Sequence, residues 1–353
     1  MKKIIAILLI ISFAIIGCKK QTPEPQNSVS QKANDNTTAQ KKKVLYVDSY
    51  HRGYEWSDGV TNGILLTFGA ALNDDDTVDN SGSKVDLKIF RMDTKRNEKE
   101  DFIKNAALKA THIIEWWKPD LIIASDDNAF KYLIMPYYRD ANLPVVFCGL
   151  NWDASIYGAP YKNTTGMVEV ALIVKLIEDL KTYSHGDKIG YLSAETSTER
   201  KNLEYYNKMP EFSFSKVHMV KTLKEWEDAF LMLQDEVDML IFENNAGITD
   251  WNDEQAGQFA LDNAKIPVGT TNPWTMQCSL IGFTKLPEEQ GVYSAKTAMK
   301  ILDGKLPSDI PVVTNEKAKI YLNMKIAKKL GITFPMDYMA QAEFFEKQKQ
   351  NEN

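Results

Sequence analysis

From about residue 44 onward, short β-branched runs alternate with amphipathic stretches, and this alternation restricts the fold more than any other feature of the chain. The apolar runs are Val44–Asp48, Val85–Phe90, Leu121–Ser125, Val145–Cys148, Lys188–Leu192, Ser215–Val220, Met239–Phe242, Val268–Thr270 and Leu280–Phe283. Helical patterns separate them at Trp56–Leu72, Glu98–Trp117, Asn128–Tyr138, Val170–Thr182, Thr198–Lys208, Leu223–Glu236, Asn252–Asn263 and Glu288–Leu302. In the last of these, Val292, Ala295, Met299 and Leu302 recur at helix spacing and predict one buried face. Runs such as LIIAS and MLIFE are apolar on both sides, as strands are when helices cover both faces of a parallel sheet. Repeated βα units predict an α/β fold with doubly wound parallel sheets. The first four strands form one group and the later ones another, with Asn151–Lys188 read as a crossing that contains a helix, so two similar lobes are expected. The acidic stretch Asn73–Asn80 reads as a solvated loop.

The N-terminal end carries different information. Met1 to Cys18 has two lysines, an apolar run from Ile4 to Ile16, then Gly17 and Cys18. The run is shorter than the roughly 20 apolar residues of a membrane-spanning helix and fits a cleaved signal. Ile15-Ile16-Gly17-Cys18 resembles a bacterial lipobox, which implies a lipid on Cys18 and anchoring of the mature chain to the membrane, outside the cytoplasm. Residues 19–43 are polar and contain no aromatic side chain, so they are expected to be a disordered tether; residues 341–353 are expected to be a polar tail. The formal net charge is −6, and no basic patch with interleaved aromatics is present, which argues against nucleic acid as a partner. Beyond Cys18 only Cys148 and Cys278 remain, too few for a disulfide scaffold; each ends an apolar run, where a buried thiol is expected, and their pairing is left open.

In open α/β sheets, ligands bind beyond the carboxyl ends of the strands, where loops lead into helix N-termini. The segments there hold His51, Tyr54 and Trp56 after the first strand, Asp126, Asp127 and Asn128 after the third, and Asn151 and Trp152 after the fourth. The second half contributes Glu195, Thr196, Ser197, Glu243, Asn244, Asn272 and Trp274. Helix N-termini offer N–H groups to a carboxylate, Asp127 or Glu243 offers a partner to an ammonium, and Trp56, Trp152 or Trp274 offers a face for stacking. Asp126, Asp127 and Ser197 are equally residues that cap helices, and the tryptophans equally suit packing between lobes. Trp116, Trp117 and Trp226 fall within helices and read as core.

No nucleophile elbow, Walker loop, zinc-ligand pair or GxGxxG follows any strand, so no enzyme chemistry, metal or cofactor is expected. The four histidines, His51, His112, His185 and His218, are dispersed. Two rival readings use the same loops: an acid–base pair of Asp127 and Glu243, or metal capture by His51 with those two carboxylates.

Several segments resemble the ABC substrate-binding proteins of the type I periplasmic-binding fold that include tryptophan and phenylalanine binders. They are VLYVDSYHRGYEWSDGVTNGI, KPDLIIASDDNAF and LPVVFCGLNWD, and near the C-terminus QGVYSAKTAMKILDGKLPSDIPV followed by NMKIAKKLGITFP. The resemblance implies ligand-facing polar groups at Asp126, Asn128, Asn151 and Thr196; the tryptophans have no clear counterparts. The aromatic-rich SYHRGYEW and GLNWD also resemble sensor domains of some histidine kinases. The resemblance implies two lobes linked by three hinge crossings, near Asn151–Thr165, Phe283–Leu286 and Pro307–Val313. The lobes would comprise residues 44–155 with 284–310, and 156–283 with 311–340. It further implies a monomer that captures a small solute by hinge closure and hands it to an ABC permease and its ATPase, or reports it to a chemoreceptor or sensor kinase.

Overall fold

The computed structural model describes residues 40–345. The signal segment, the lipidation candidate Cys18, nearly all of the tether and the last eight residues lie outside the described residues.

In chain order the first half runs β1 (Lys43–Asp48), α1 (Glu55–Phe68), a small hairpin of β2 (Ala71–Leu72) and β3 (Val78–Asp79), β4 (Asp86–Arg91), α2 (Glu100–Trp117) and β5 (Leu121–Ser125). The short α3 (Asp126–Ala129) continues as a π-helical stretch, Phe130–Tyr138, with Pro136 inside it. Then come β6 (Val145–Asn151), β7 (Thr164–Glu169) and α4 (Ile173–Lys181). The second half runs β8 (Ile189–Ala194), α5 (Ser197–Tyr206), β9 (Phe214–Val220), α6 (Leu223–Glu236), β10 (Met239–Phe242), α7 (Asp253–Asn263) and β11 (Val268–Thr270). It ends with β12 (Ile281–Lys285), α8 (Pro287–Leu302), β13 (Val313–Thr314), β14 (Ala318–Leu322), α9 (Met324–Leu330), α10 (Met336–Met339) and β15 (Ala342–Phe344).

These strands form two sheets, in the orders β13-β7-β6-β5-β1-β4 and β15-β14-β12-β11-β10-β8-β9. Every pairing in the first sheet is parallel; in the second only β12 with β14 is antiparallel. Each sheet is buried on both faces, with one apolar cluster per face: Leu45, Ile122 and Phe147 against Val44, Ile123 and Val146 in the first, Tyr191 and Ile241 against Leu192 and Leu240 in the second. That is the doubly wound arrangement, with alternate side chains of each strand feeding opposite cores.

The chain passes between the sheets three times, at 170–172 between β7 and α4, at Leu286 between β12 and α8, and at 315–317 between β13 and β14. Three strands lie beyond the expected lobe limits, one of them Ala342–Phe344, which falls in the expected polar tail and pairs in parallel with β14. Thr164–Glu169, within the stretch read as a crossing, pairs in parallel with β6, and Val313–Thr314 pairs in turn with β7. The segment TTGMVE lacks a β-branched apolar run, but its threonines are buried and bonded: Thr165 Oγ1 donates to the Ile310 carbonyl at 2.7 Å. Gly166 has no room for a Cβ beneath Phe147.

The buried face of α8 also differs from the expected one. Gly291, Ser294, Ala295 and Ala298 are buried, while Val292, Met299 and Leu302 are only partly so. A small-residue face lets two helix backbones touch: a Cβ at Gly291 would strike the Val60 carbonyl, and one at Gly63 the Glu288 carbonyl, so α8 is clamped on α1. The acidic loop is not merely solvated. Asp76 holds Arg91, with Nε donating to Oδ2 at 2.9 Å, and Arg91 in turn pairs with buried Asp48 at 2.5 Å. Cys148 and Cys278 are both free and buried. Among the described residues no helix is long and apolar enough to cross a membrane.

Candidate functional site

The carboxyl ends of β1, β5, β6 and β7 bring together a layer of aromatic and acidic side chains. Asp126 follows β5 with φ at +69°, a left-handed conformation that aspartate tolerates better than most residues. Its Oδ1 accepts the Trp56 indole N–H at 2.9 Å, and Gly149 lies so close that a Cβ there would come within 2.7 Å of the same oxygen. Asp126 is 2% exposed, and its Oδ2 has no partner among the described residues. Burial, then the carboxylates of Asp48 and Glu169, hold its carboxyl well above the usual range, against the bond from Trp56. Asp127 accepts from Asn151 Nδ2 at 2.6 Å and from the Tyr157 hydroxyl at 2.8 Å. Neither aspartate acts as a helix cap, so that alternative is removed for both. Asn128 donates to Thr94 Oγ1 at 2.8 Å within its own lobe.

Tyr50 lies beside this group: burial, followed by Asp126, Asp127 and Glu169, raises its hydroxyl far above its ordinary value. His51 and Tyr54 sit next to it, with ring centroids of Tyr50 and Tyr54 5.2 Å apart and those of His51 and Tyr54 5.9 Å apart. His51 Nδ1 is 3.5 Å from Asp93, too far for a good hydrogen bond, and it shares no ligand set with Asp127 or Glu243: among the described residues no three His, Cys, Asp or Glu side chains are grouped to hold a metal.

The second lobe answers with α5, β10 and the loop after β11. Glu243, at the end of β10, accepts from Thr271 Oγ1 at 2.8 Å and from Asn272 Nδ2 at 3.0 Å. Burial and then Glu199 push its carboxyl up to about 7, against the Thr271 hydroxyl, Lys285 and Tyr206. Glu199 accepts from Asn244 Nδ2 at 2.9 Å, and Asn244 Oδ1 accepts from the half-exposed Trp274 indole at 3.1 Å. Thr196 caps α5, its side chain accepting from the Glu199 amide. Glu195 is engaged by Arg200 at 2.5 Å and Ser197 is exposed, so these three remain outside the carboxylate cluster.

Side chains of the two lobes meet directly. Trp152, itself at φ +65°, stacks on Tyr205 of α5 with centroids 5.1 Å apart and planes 8° off parallel. Its indole N–H donates to Asn202 Oδ1 at 3.1 Å, and Tyr206 meets it edge-on. Glu169, the last residue of β7, is ion-paired with Lys285, the last of β12, and the Lys285 ammonium also lies 5.8 Å from the Trp56 ring. Sequence reasoning passed over Tyr50, Tyr157, Glu169, Glu199, Asn202, Tyr205 and Lys285. The α5 residues were findable: positions 199, 202, 205 and 206 follow one helical face, polar and aromatic, on a helix otherwise made for solvent.

Two doubly wound sheets, crossed three times by the chain, with side chains of both lobes meeting beyond the strand ends, define the type I periplasmic-binding fold. The model of the family described as ABC transporter substrate binding protein matches residues 80–344, and the chain belongs to that family. Members of this family are extracytoplasmic, bind small solutes and work with an ABC permease; they are typically not enzymes. A ligand-free, open structure of CD0873, a substrate binding protein with adhesive properties from Clostridium difficile, is similar over 87% of this chain and 99% of its own, with TM-score 0.64 and 18% identity. The ABC domain from Streptococcus pneumoniae in complex with L-Trp is similar over 86% and 99%, with TM-score 0.50 and 17% identity. At these identities the likeness speaks to the fold alone. No curated protein matches the sequence.

Proposed function

We propose that this chain is the solute receptor of an ABC importer, anchored outside the cytoplasm through a lipid on Cys18 and working as a monomer. It would capture a small polar or aromatic solute between its lobes and deliver it to a permease driven by a cytoplasmic ATPase. The observation that carries the reading is the meeting of the two lobes at aromatic and acidic side chains, Trp152 on Tyr205 and Glu169 on Lys285. A solute held there touches both lobes only when they are closed, so binding favours closure. Asp126, Asp127, Asn151, Glu243, Asn244 and Asn272 supply the polar contacts in this reading, and Trp56 and Trp152 the stacking faces. An aromatic amino acid is the first solute to test, the S. pneumoniae relative having been crystallised with L-Trp.

The test is mass spectrometry of what co-purifies with the protein, followed by a thermal-shift screen of amino acids, purines and small peptides. A true solute at a hundredfold excess over its dissociation constant adds about 2.7 kcal/mol of stability. A protein that carries nothing and is shifted by none of these solutes refutes solute capture.

A further inference from the structure

We infer that the site is built for a small organic cation, a protonated amine or quaternary ammonium that brings no carboxylate of its own. This rests on the solute-capture reading and narrows it to a substrate class. Five carboxylates, Asp126, Asp127, Glu169, Glu199 and Glu243, stand at the strand ends and on the α5 face that meet between the lobes. Among the described residues only Glu169 is ion-paired, with Lys285. The other four are met by neutral donors: Trp56 on Asp126, Asn151 and Tyr157 on Asp127, Asn244 on Glu199, and Thr271 with Asn272 on Glu243. Neutral donors satisfy lone pairs but leave the charge uncompensated, and burying an unpaired charge is costly.

Asp126 is an independent observation that points to a cationic donor. Its Oδ2 is buried and accepts no hydrogen bond, although its other oxygen is held in place by the Trp56 indole. An ordered acceptor with no donor, next to an aromatic ring and a second carboxylate, is what an ammonium N–H requires. The rings supply the rest of a cation's coordination. Trp56 already has the Lys285 ammonium 5.8 Å from its centroid, and the Trp152–Tyr205 stack presents further aromatic surface.

Two alternatives fit less well. A metal ion needs three or more donors at one point, and among the described residues these carboxylates are not so grouped. A ligand carboxylate needs a free cation or an open helix end. Lys285 is engaged by Glu169, the N-terminus of α5 is closed by Thr196, α3 is a single turn, and α1, which has no side-chain cap, carries Glu55 and Asp58 in its first turn, where they repel an anion. Among the described residues Lys95 and Lys208 form no ion pair but lie over the Tyr50 and Tyr205 rings at 5.4 and 5.0 Å, so the cations left for a ligand carboxylate sit on those aromatic faces and not among the five carboxylates.

The experiment uses the mature protein and three solutes that share one ring system: tryptamine, L-tryptophan and indole-3-acetate, with putrescine as an amine lacking the ring. Calorimetry should give an affinity for at least one amine about tenfold or more above that for L-tryptophan, the size of one charged hydrogen bond, with indole-3-acetate not bound. Amine affinity should weaken as salt rises. Asp126→Asn should lower it about tenfold without lowering the melting temperature of the free protein, and Asp127→Asn serves if the first variant does not fold. L-tryptophan or indole-3-acetate binding as tightly as the amines, or amine affinity indifferent to the substitution, overturns the inference and leaves solute capture standing. If no amine, amino acid, purine or peptide binds at all, both fall.

Discussion

Glu243 offers the sharpest quantitative test of the site. It is 2% exposed, and it faces Glu199 and Tyr206 of α5, Tyr191 of β8, Thr271 and, from β12, Lys285. Burial and Glu199 raise its carboxyl from 4.5 to about 7. In the unfolded chain the same group titrates near its ordinary value, so between these two limits the folded protein keeps a proton that the unfolded chain has released. Stability must then fall as pH rises through this window, with no cost from Glu243 below it and a constant cost above it. At about 1.36 kcal/mol per unit, a shift of this size costs roughly 3 kcal/mol at pH 8. Glu243→Gln keeps the shape and an oxygen for Thr271 and Asn272 but cannot ionise. Urea unfolding followed by tryptophan fluorescence should find the variant roughly 3 kcal/mol more stable than wild type at pH 8 and equal to it near pH 4.5. A difference that does not change with pH, or a variant less stable at pH 8, refutes the reasoning.

Trp152→Ala removes a stacked ring pair, an edge contact and one hydrogen bond between lobes, worth about 2 to 4 kcal/mol together. X-ray scattering of the solute-free protein should show a larger radius of gyration for the alanine variant, with Trp152→Phe intermediate; an unchanged curve refutes the lobe contact. Gly291→Ala drives a methyl into the Val60 carbonyl and must separate α8 from α1. The cost of such overpacking is about 1 to 3 kcal/mol, and a melting temperature equal to wild type would show that the two helices are not clamped there.

The fold was legible because its strands are buried on both faces. LIIAS and MLIFE can only be core, and the nine apolar runs correspond to β1, β4, β5, β6 and β8 to β12. What escaped notice lacked that signature. β7 is half threonine and glycine, buried because its hydroxyls find backbone partners. β14 is only partly buried over most of its length and carries Lys319, and β13 is two residues long. With β7 unrecognised, Glu169 had no strand end to stand on. The candidate site was legible as loops but not as partners: the strand-end rule points to Asp126, Asp127, Asn151 and Glu243, whereas Tyr205 and Asn202 come from within a helix and Lys285 ends a strand expected to stop at Phe283. Glu195 and Ser197 occupy equivalent loop positions, yet Arg200 holds the one and solvent surrounds the other. Proximity in sequence to a strand end does not decide which way a side chain is drawn.

In the proposed reading the same residues serve the hinge and the site. Glu169 and Lys285 end β7 and β12, each directly before the chain crosses to the other lobe, so any change in the angle between lobes alters the relation of these two side chains first. Lys285 also lies over Trp56 of the opposite lobe, whose indole holds Asp126, and it lowers the carboxyl of Glu243 in its own lobe. One ammonium thus acts on acidic groups of both lobes at the pivot. A fold selected only for stability would replace such buried acids with apolar side chains, which is often neutral or stabilising. Asp126 without a full set of partners and Glu243 beside Glu199 leave this cluster of acids electrostatically unfavourable. Proton uptake by Asp126 and Glu243 relieves part of this cost in the free protein, and in the proposed reading a bound cation that reaches both lobes relieves the rest as the lobes close over it.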